Sequence, residues 1–382
     1  MKKKIAVIVG TRPEAIKMAP VIHRLQASSV FDCIVVATAQ HRQMLDQVLR
    51  IFGIVPDHDL DIMQPDQTLA GLTARLLAGL DRVFRDVQPD AVLVQGDTTS
   101  VMAASLAAAY LNIPVGHVEA GLRTGDMRNP FPEELNRVMT ARMARWHFAP
   151  TTTARDHLLR EGVPPSAVEV TGNTVIDALL QARRHPDKPV AASAPGRRTI
   201  LVTTHRRENF GEPLQQVCTA LLRLLDSHPD VDIVFPVHPN PNVVQVVQAR
   251  LAGHPRIRLC APLEYLDFVA AMENAHLILS DSGGVQEEAP ALARPVLVLR
   301  EETERPEAVQ AGVVELVGTD ADRIVARARR LLDDPQAYRA MAQGSSPYGD
   351  GHAAARIERV LLQAFAPTDA ADASLPIPAL AA

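Results

Sequence analysis

The stretch Leu277-Ile-Leu-Ser-Asp-Ser-Gly-Gly-Val-Gln-Glu-Glu-Ala289 predicts a short buried strand, a tight turn and the start of a helix. Gly283 and Gly284 lack a Cβ atom, so the backbone at this turn can approach a ligand closely. The free N–H groups and the dipole of the following helix favour an anion there. Ser-Gly-Gly turns also simply end strands, so the pattern alone fits a structural turn equally well. Glu287 and Glu288 lie too late in the helix to cap it, and one of them would reach a sugar diol beyond the anion.

Length and charge limit the classes of protein to which the chain can belong. At 382 residues it is long enough for two domains, each with its own core. The formal net charge of −5 does not favour binding to nucleic acid or to an anionic membrane, both of which attract positively charged proteins. The three cysteines lack metal-ligand spacing, and the apolar run at residues 5–9 is too short for a signal peptide or a membrane span. We therefore expect a cytoplasmic protein with no metal, no nucleic-acid partner and no membrane contact.

Short apolar runs alternate with amphipathic segments along the chain. Such runs are typical of parallel sheets covered by helices on both faces. The pattern loosens into Ala, Pro and Arg at residues 174–198, where we place a domain boundary. We predict an α/β protein with two doubly wound, Rossmann-like domains, residues 1–173 and 174–350, facing each other across a cleft. A helix at about residues 351–365 is expected to pack back on the first domain, and residues 366–382 to form a disordered tail.

Polar residues follow the predicted strands in both halves of the chain. Since ligands bind such folds at the carboxyl ends of the strands, these residues are candidates for a site. They are residues 11–14, Asp97, His117 and Glu119 in the first half, and residues 204–208, His238, residues 282–284 and residues 300–305 in the second.

Each candidate also has a structural interpretation. Asp97 could cap the helix that follows it, as Asp often does in a β–α loop. Glu119 could pair with Arg123, the arginines at 206–207 could be solvated, and His238 could be an ordinary loop histidine. The repetition of polar residues at equivalent strand ends in both halves favours a functional role.

The loop Gly10-Thr-Arg-Pro-Glu14 is not a dinucleotide-binding fingerprint, because it lacks the three-glycine spacing and Arg12 would block the pyrophosphate. The sequence also contains no Walker-type lysine loop, zinc motif or Gly-x-Ser-x-Gly elbow. These absences argue against NAD, ATP hydrolysis, metal and serine-hydrolase chemistry, so we expect no cofactor. An anion site in one half and carboxylates in the other indicate acid–base chemistry on a nucleotide-linked sugar.

A series of longer motifs runs in order along most of the chain. They are Gly10-Thr-Arg-Pro-Glu-Ala-Ile-Lys-Met-Ala-Pro20, Ala39-Gln-His-Arg-Gln-Met-Leu-Asp-Gln47, Gly96-Asp-Thr-Thr99, Gly116-His-Val-Glu-Ala-Gly-Leu-Arg-Thr-Gly125, Phe131-Pro-Glu-Glu-Leu-Asn-Arg137, Thr171-Gly-Asn-Thr-Val-Ile-Asp177, His205-Arg-Arg-Glu-Asn209, Asp281-Ser-Gly-Gly-Val-Gln-Glu-Glu-Ala-Pro290, Thr303-Glu-Arg-Pro-Glu307 and Pro347-Tyr-Gly-Asp-Gly351. This series resembles the motifs of the non-hydrolysing UDP-N-acetylglucosamine 2-epimerases of bacteria.

The resemblance implies the two-domain fold of type-B glycosyltransferases and a homodimer. It also implies reversible inversion at C2, which interconverts UDP-N-acetylglucosamine and UDP-N-acetylmannosamine for cell-surface polysaccharide synthesis. In this family UDP is eliminated across C1–C2 to give a bound 2-acetamidoglucal and is then added back, so no redox cofactor is needed.

Matching positions to motifs gives the residue roles that the resemblance implies. Asp97, Glu119 and Glu133 would be the carboxylates around C2, with the choice of base and acid left open. His205 would contact the diphosphate and protonate it as it leaves. The other implied substrate contacts are Arg12, Lys17, Ser282, Gly283, Gly284 and Arg305 at the phosphates, Glu288 at the ribose and Phe268 at the uridine. Lys17 lies on a helix and could instead be solvated.

Bacterial members also bind a second UDP-N-acetylglucosamine as an activator. Gln40, Gln43, Arg207 and His238 match positions associated with that allosteric site, whereas Asp66 stands where some members carry a basic residue.

Three other functions remain as alternatives. A hydrolysing 2-epimerase shares the first step and differs in letting water capture the intermediate. A glycosyltransferase on the same fold would need an acceptor groove, and residues 53–90 show no apolar or basic stretch for one. A sugar-nucleotide sensor would be expected to lack one of the four catalytic side chains, and all four are present.

Overall fold

The computed structural model describes residues 1–39, 42–64, 67–190, 196–344 and 346–366. Gln40, Asp66 and the tail from residue 367 lie outside these residues, as does the side chain of Gln43.

The first unit is built on a parallel sheet with the strand order β3-β2-β1-β4-β5-β6-β7. Its strands are β1 (Lys3–Val9), β2 (Phe31–Ala37), β3 (His58–Asp59), β4 (Ala91–Gln95), β5 (Val115–Val118), β6 (Trp146–Ala149) and β7 (Val168–Val170). Its helices are α1 (Arg12–Ala27), α2 (Arg42–Ile51), α3 (Leu69–Val87), α4 (Thr99–Tyr110), α5 (Glu133–Met143) and α6 (Thr152–Arg160), and α7 (Thr174–Arg183) leads on to the second unit.

The second unit is built on a parallel sheet with the strand order β10-β9-β8-β11-β12-β13. Its strands are β8 (Arg198–Thr203), β9 (Val231–Pro236), β10 (Ile257–Cys260), β11 (Leu277–Ser280), β12 (Val296–Val298) and β13 (Val314–Leu316). The helices in this part of the chain are α8 (Glu212–Ser227), α9 (Pro241–Leu251), α10 (Tyr265–Asn274), α11 (Gly283–Ala291), α12 (Pro306–Gln310), α13 (Ala321–Asp333), α14 (Pro335–Met341) and α15 (Ala353–Phe365).

The central strand of the first sheet shows why the strands read as unbroken apolar runs. Ile5, Val7 and Val9 of β1 pack into the core layer that contains α1 and α7. Ala6 and Ile8 point to the opposite face and pack into the layer that contains α3 and α4. Because both faces are covered, apolar residues fill positions 5–9 of the strand, after the two lysines at its start. The prediction of an α/β protein with two doubly wound units is confirmed.

The loosened segment at residues 174–198 contains a helix that we did not predict. Asn173 caps α7 by accepting a hydrogen bond from the N–H of Val175. The helix packs on α1 of the first unit and on α10 and α11 of the second, so it joins the two cores. The predicted boundary between residues 173 and 174 stays a prediction.

Helix α15 packs against α1 and α7 at the end of the described chain. Asp177 of α7 accepts hydrogen bonds from the N–H groups of Ala353 and Ala354 at 3.1 and 2.9 Å and so caps α15 from another helix. Arg24 of α1 and Glu358 of α15 form an ion pair at 2.8 Å. Within the described residues, none of the helices is long and apolar enough to span a bilayer.

Candidate functional site

A buried ionic cluster joins the facing edges of the two units. Lys17 of α1 places its Nζ 2.6 and 2.8 Å from the two carboxylate oxygens of Glu119, which follows β5. The same Nζ lies 3.9 Å from Oε2 of Glu287 in α11. Asn173 donates its amide to Glu119 at 2.9 Å and to Glu287 at 3.4 Å. Arg305 donates its Nε to the other oxygen of Glu287 at 2.7 Å. Lys17 is therefore not solvated, and its assignment to the phosphates stays a prediction.

The charges of the cluster fix its protonation states. Burial alone would raise the pKa of Glu119, but Lys17 and Arg305 outweigh it and lower that pKa. Burial would lower the pKa of Lys17, but Glu119 and Glu287 raise it. Burial acts likewise on Arg305, whose pKa the neighbouring carboxylates raise. The cluster is therefore a set of ionised groups that compensate each other away from water.

Glu119 itself is held in an uncommon backbone conformation. Its φ is +63°, in the left-handed region that non-glycine residues seldom adopt. Such a conformation costs energy and persists only where the surroundings fix it. Here Gln95, the last residue of β4, donates its amide to Oε2 of Glu119 in addition to the cluster bonds. The suggested pair with Arg123 is wrong, because Arg123 binds Glu161 at 2.7 Å.

Asp97 lies in the loop between β4 and α4 and does not cap the helix. The cap is Thr98, whose side chain accepts a hydrogen bond from the N–H of Val101. Arg137 of α5 instead binds Asp97 through Nη2 at 2.6 Å and through Nε at 3.0 Å. Glu133 lies four residues earlier on α5, so it shares the face of Arg137 that is turned towards Asp97. Asp97 and Glu119 thus follow the neighbouring strands β4 and β5 at one edge of the first sheet, and Glu133 begins α5, the helix that contacts Asp97.

His117 and Glu14 are buried and support this edge of the sheet. His117 lies in β5, and its Nε2 hydrogen-bonds to the carbonyl oxygen of Gly96 at 2.7 Å. Burial lowers the pKa of His117 to about 4, so it is a neutral donor to the loop that carries Asp97. Glu14 accepts a hydrogen bond from Gly10 N at 2.6 Å, and burial raises its pKa to about 7.

His205 follows β8 at the facing edge of the second sheet. Its Nδ1 lies 2.9 Å from Oδ1 of Asp281, which directly follows β11, and its side chain is 43% exposed. Asp281 also accepts the backbone N–H groups of His205 and Arg206. Burial would raise the pKa of Asp281, but these donors lower it. The aspartate therefore orients the imidazole with Nε2 towards the open side.

The residues around His205 differ in whether they follow the structural interpretations given above. Arg206 pairs with Glu304 at 3.2 Å, so it is not simply solvated. Arg207 is exposed and contacts no charged side chain in the described chain. The ring of His238 lies 6.3 Å from that of His205, and its Nδ1 accepts the N–H of Asn240. The allosteric assignments of Arg207 and His238 stay predictions.

The Ser-Gly-Gly turn opens α11, as its sequence predicts. Ser282 is the N-cap, but its side chain makes no capping bond to the first turn of the helix. A Cβ atom on Gly283 would lie 2.7 Å from Cζ of Arg305, so glycine is required there by the guanidinium packed on it. A Cβ on Gly284 would meet no atom closer than Oγ of Ser282 at 3.9 Å. The backbone at Gly284 is thus open to a ligand, and Arg305 stands beside it.

Glu288 follows Glu287 on α11 and is buried. It accepts a hydrogen bond of 3.4 Å from the hydroxyl of Tyr265, the first residue of α10. Burial and the negative charge of Glu287 raise the pKa of Glu288 to about 8, against the positive charges of Lys17 and Arg12. Arg12, at the start of α1, makes no hydrogen bond or ion pair to the described residues. Phe268 lies one turn after Tyr265 and is half-buried.

The sequence did not predict the contacts of four residues that hold this site together. Glu287, Asn173, Gln95 and Asp281 have partners distant in the chain, and nothing in the local pattern identifies those partners. Three of the four lie within the motifs quoted above, which was the available signal. Gln95 lies one residue before such a motif.

Comparison with known proteins gives three consistent findings. The family model described as UDP-N-acetylglucosamine 2-epimerase matches residues 23–362. A protein of Escherichia coli K12 named UDP-N-acetylglucosamine 2-epimerase is 54% identical over 94% of this chain and 98% of its own length. A Bacillus subtilis 168 protein of the same name is 52% identical over 95% of this chain and 96% of its own. The crystal structure of UDP-GlcNAc 2-epimerase from Neisseria meningitidis bound to UDP-GlcNAc superposes with a TM-score of 0.85 at 47% identity, covering 94% of this chain and all of that one.

The two glycines of α11 should respond differently to alanine. Gly283→Ala should lower the free energy of unfolding by about 1–3 kcal/mol, because the new methyl group displaces the buried guanidinium of Arg305. Its melting temperature should fall accordingly. Gly284→Ala should leave the melting temperature unchanged or raise it, since the site is open and alanine favours the helix by up to about 1 kcal/mol. Thermal unfolding without ligand measures both. Equal melting temperatures for the two variants would contradict the packing of Arg305 on Gly283.

Glu288 should make the stability depend on pH. Its pKa is raised from 4.5 to about 8 on folding, so the folded state binds more protons than the unfolded state between these values. This contribution to stability is complete below about pH 4.5 and is lost as the pH rises through about 8. The melting temperature of Glu288→Gln relative to the native chain should therefore increase from pH 5 to pH 8 and then level off. The exposed Glu302→Gln is the control, and a pH-independent difference for Glu288→Gln would contradict the assignment.

Proposed function

Because the chain belongs to the UDP-N-acetylglucosamine 2-epimerase family, we propose that it interconverts UDP-N-acetylglucosamine and UDP-N-acetylmannosamine without net hydrolysis, by eliminating UDP and adding it back. The observation that carries the proposal is the ionic cluster that joins Glu119, beside the other carboxylates of the first unit, to Arg305 at the open turn of α11. A base for the sugar and a site for the leaving diphosphate therefore adjoin across the cleft.

The reaction requires both a base near C2 of the sugar and a site that holds the leaving diphosphate. The C2 proton is not next to a carbonyl group, so a carboxylate cannot remove it from the resting sugar. When the C1–O bond breaks, UDP leaves with the bonding electrons and C1 gains oxocarbenium character, which makes the C2 proton acidic. Loss of that proton forms the C1–C2 double bond of 2-acetamidoglucal. Protonation of C2 on the opposite face and return of UDP to C1 complete the inversion.

The leaving diphosphate would be held by the second unit. The open backbone at Gly284 and the free first turn of α11 suit a phosphate group, and Ser282 stands at the same turn. The guanidinium of Arg305 lies on Gly283. Arg12 of the first unit has no hydrogen-bond or ion-pair partner among the described residues and acts on Glu288 and Tyr265 of the second unit through its charge. His205, with its Nδ1 held by Asp281, would direct Nε2 to the diphosphate and supply a proton as it leaves.

The sugar would lie against the carboxylates of the first unit. Inversion requires one group that removes the C2 proton and another that delivers a proton to the opposite face. Asp97, Glu119 and Glu133 are the groups available, and the reversible reaction makes the base of one direction the acid of the other. Glu288 and Phe268 would contact the ribose and the uracil, because both adjoin Tyr265 on the far side of α11.

A single NMR experiment separates this proposal from its alternatives. Proton spectra of the enzyme with UDP-N-acetylglucosamine in deuterated water should gain an anomeric signal of UDP-N-acetylmannosamine, with deuterium at C2 and no free UDP. Free UDP with free N-acetylmannosamine would instead identify a hydrolysing epimerase. An unchanged spectrum despite UDP binding would indicate a transferase or a sensor.

The variant His205→Asn tests the role of the imidazole in the same spectra. Deuterium incorporation should slow by about 100-fold or more while UDP binding survives, because the diphosphate loses its proton donor and not its anion site. Arg330→Ala, an exposed substitution on α13, serves as the control for handling and folding. Near-normal turnover in His205→Asn would refute the role of His205.

We also propose that a second UDP-N-acetylglucosamine activates the enzyme near Arg207. Arg207 is exposed, contacts no charged side chain in the described chain and adjoins the His205–His238 pair, so an anion bound there would act next to the diphosphate site. Gln40 and Asp66 of this predicted site lie outside the described residues. The homodimer likewise stays a prediction.

Activation predicts a lag in one direction only. UDP-N-acetylmannosamine alone should turn over slowly until the product accumulates, and a trace of UDP-N-acetylglucosamine should abolish the lag. Arg207→Ala should remove this response, whereas Arg330→Ala should retain it. Linear initial rates from UDP-N-acetylmannosamine alone would exclude the activator.

A further inference from the structure

Glu287 and Glu119 compete for the same hydrogen-bond donors. Glu287 is 2% exposed and lies one turn after Gly283 on the helix that opens at the anion site. Of its three partners, Lys17 and Asn173 also bind Glu119, and they bind Glu119 at the shorter distances. Arg305 binds Glu287 at 2.7 Å and only reaches Glu119 electrostatically. Glu287 therefore weakens the interaction of Glu119 with the donors and cations that the two carboxylates share.

We propose that Glu287 is a positioning residue for the epimerisation: it draws Lys17, Asn173 and Arg305 partly away from Glu119 and thereby keeps Glu119 basic enough to exchange a proton with C2. This inference rests on the proposed function and adds to it a residue that touches no reacting atom. Because Glu287 and Gly284 belong to one helix, the same contact ties the diphosphate site to the base.

The charges around Glu119 determine the direction of the effect. In the described chain the charged and titratable groups that act on it are Lys17 of α1, Glu287 of α11, Arg305 before α12 and His117 of β5. Asp97 lies in the neighbouring loop and is paired with Arg137. Replacing Glu287 by glutamine removes the negative charge that shares Lys17 and Asn173 with Glu119. Lys17 and Arg305 would then act on Glu119 without this competition and lower its pKa further.

Glu287→Gln should therefore lower kcat by about three- to tenfold, since a weaker base removes the C2 proton more slowly. The KM for the UDP-sugar should change less than twofold, because no substrate contact is lost. The acidic limb of the pH–rate profile should move to lower pH by about one unit. The forward and reverse values of kcat/KM should fall by the same factor, because the overall equilibrium constant cannot change.

Glu273→Gln is the matched control. Glu273 also pairs with an arginine and a lysine, Arg183 and Lys188, but contacts neither Lys17 nor Arg305, so its loss should leave the pH–rate profile in place. Glu287→Asp keeps the charge and should restore most of kcat and the native pH profile. It also provides the test if the glutamine variant does not fold. A kcat of Glu287→Gln within twofold of the native value, or a lower kcat with an unshifted pH profile, would overturn the proposal.

A second measurement does not depend on turnover. The chain has only five lysines, Lys2, Lys3, Lys4, Lys17 and Lys188, so ¹⁵N-lysine labelling should resolve the ammonium signal of Lys17, identified by its loss in Lys17→Gln. That signal should shift in Glu287→Gln and not in Glu273→Gln, whose lysine partner is Lys188. If the native enzyme failed to epimerise, the proposed function would fall, whereas an unshifted Lys17 signal would by itself overturn the role of Glu287.

Discussion

The structure depends on the compensation of buried charge where the two units meet. Lys17, Glu119, Glu287 and Arg305 are all largely removed from water, and each would be costly there without the others. Removing one partner of such a set leaves an unpaired charge, so the set constrains the backbone around it. A side chain at position 283 would displace the guanidinium of Arg305. Glu119 keeps its left-handed backbone because three side chains hold its carboxylate through four hydrogen bonds.

The same constraint explains the close approach of two loops far apart in sequence. Asn173 must reach both Glu119 and Glu287, and its backbone N–H is fixed by the carbonyl of Tyr348 at 2.6 Å. A Cβ atom on the preceding Gly172 would lie 3.2 Å from Cα of Gly349, so small residues on both sides allow this contact. The segment after α14 therefore supports the cluster from outside, through the carbonyl of Tyr348 and through the hydroxyl of Ser346, which donates to the carbonyl oxygen of Glu287 at 3.3 Å.

The sequence was informative about strands and poor at predicting partners. Both sheets could be predicted, because strands covered on two faces are apolar at every position. Helix α7 escaped because the Ala, Pro and Arg after it obscured a short amphipathic pattern whose clearest sign is the cap Asn173. The nearest charge in the chain was a misleading guide for Glu119, which binds Lys17 and not Arg123. Pairs such as Asp97 with Arg137 join residues 40 positions apart, and only the fold brings them together.

Adjacent glutamates on α11 show how environment alone can give one residue type two tasks. Glu287 faces three donors at the seam between the units, whereas Glu288 faces the hydroxyl of Tyr265 among apolar groups, where burial raises its pKa to about 8. Near neutral pH, Glu288 can therefore carry a proton and donate as well as accept, which suits contact with a diol. Glu287 instead acts through charge on groups of the other unit. One helix thus places a carboxyl group that can be protonated beside one whose charge is matched by cations from both units.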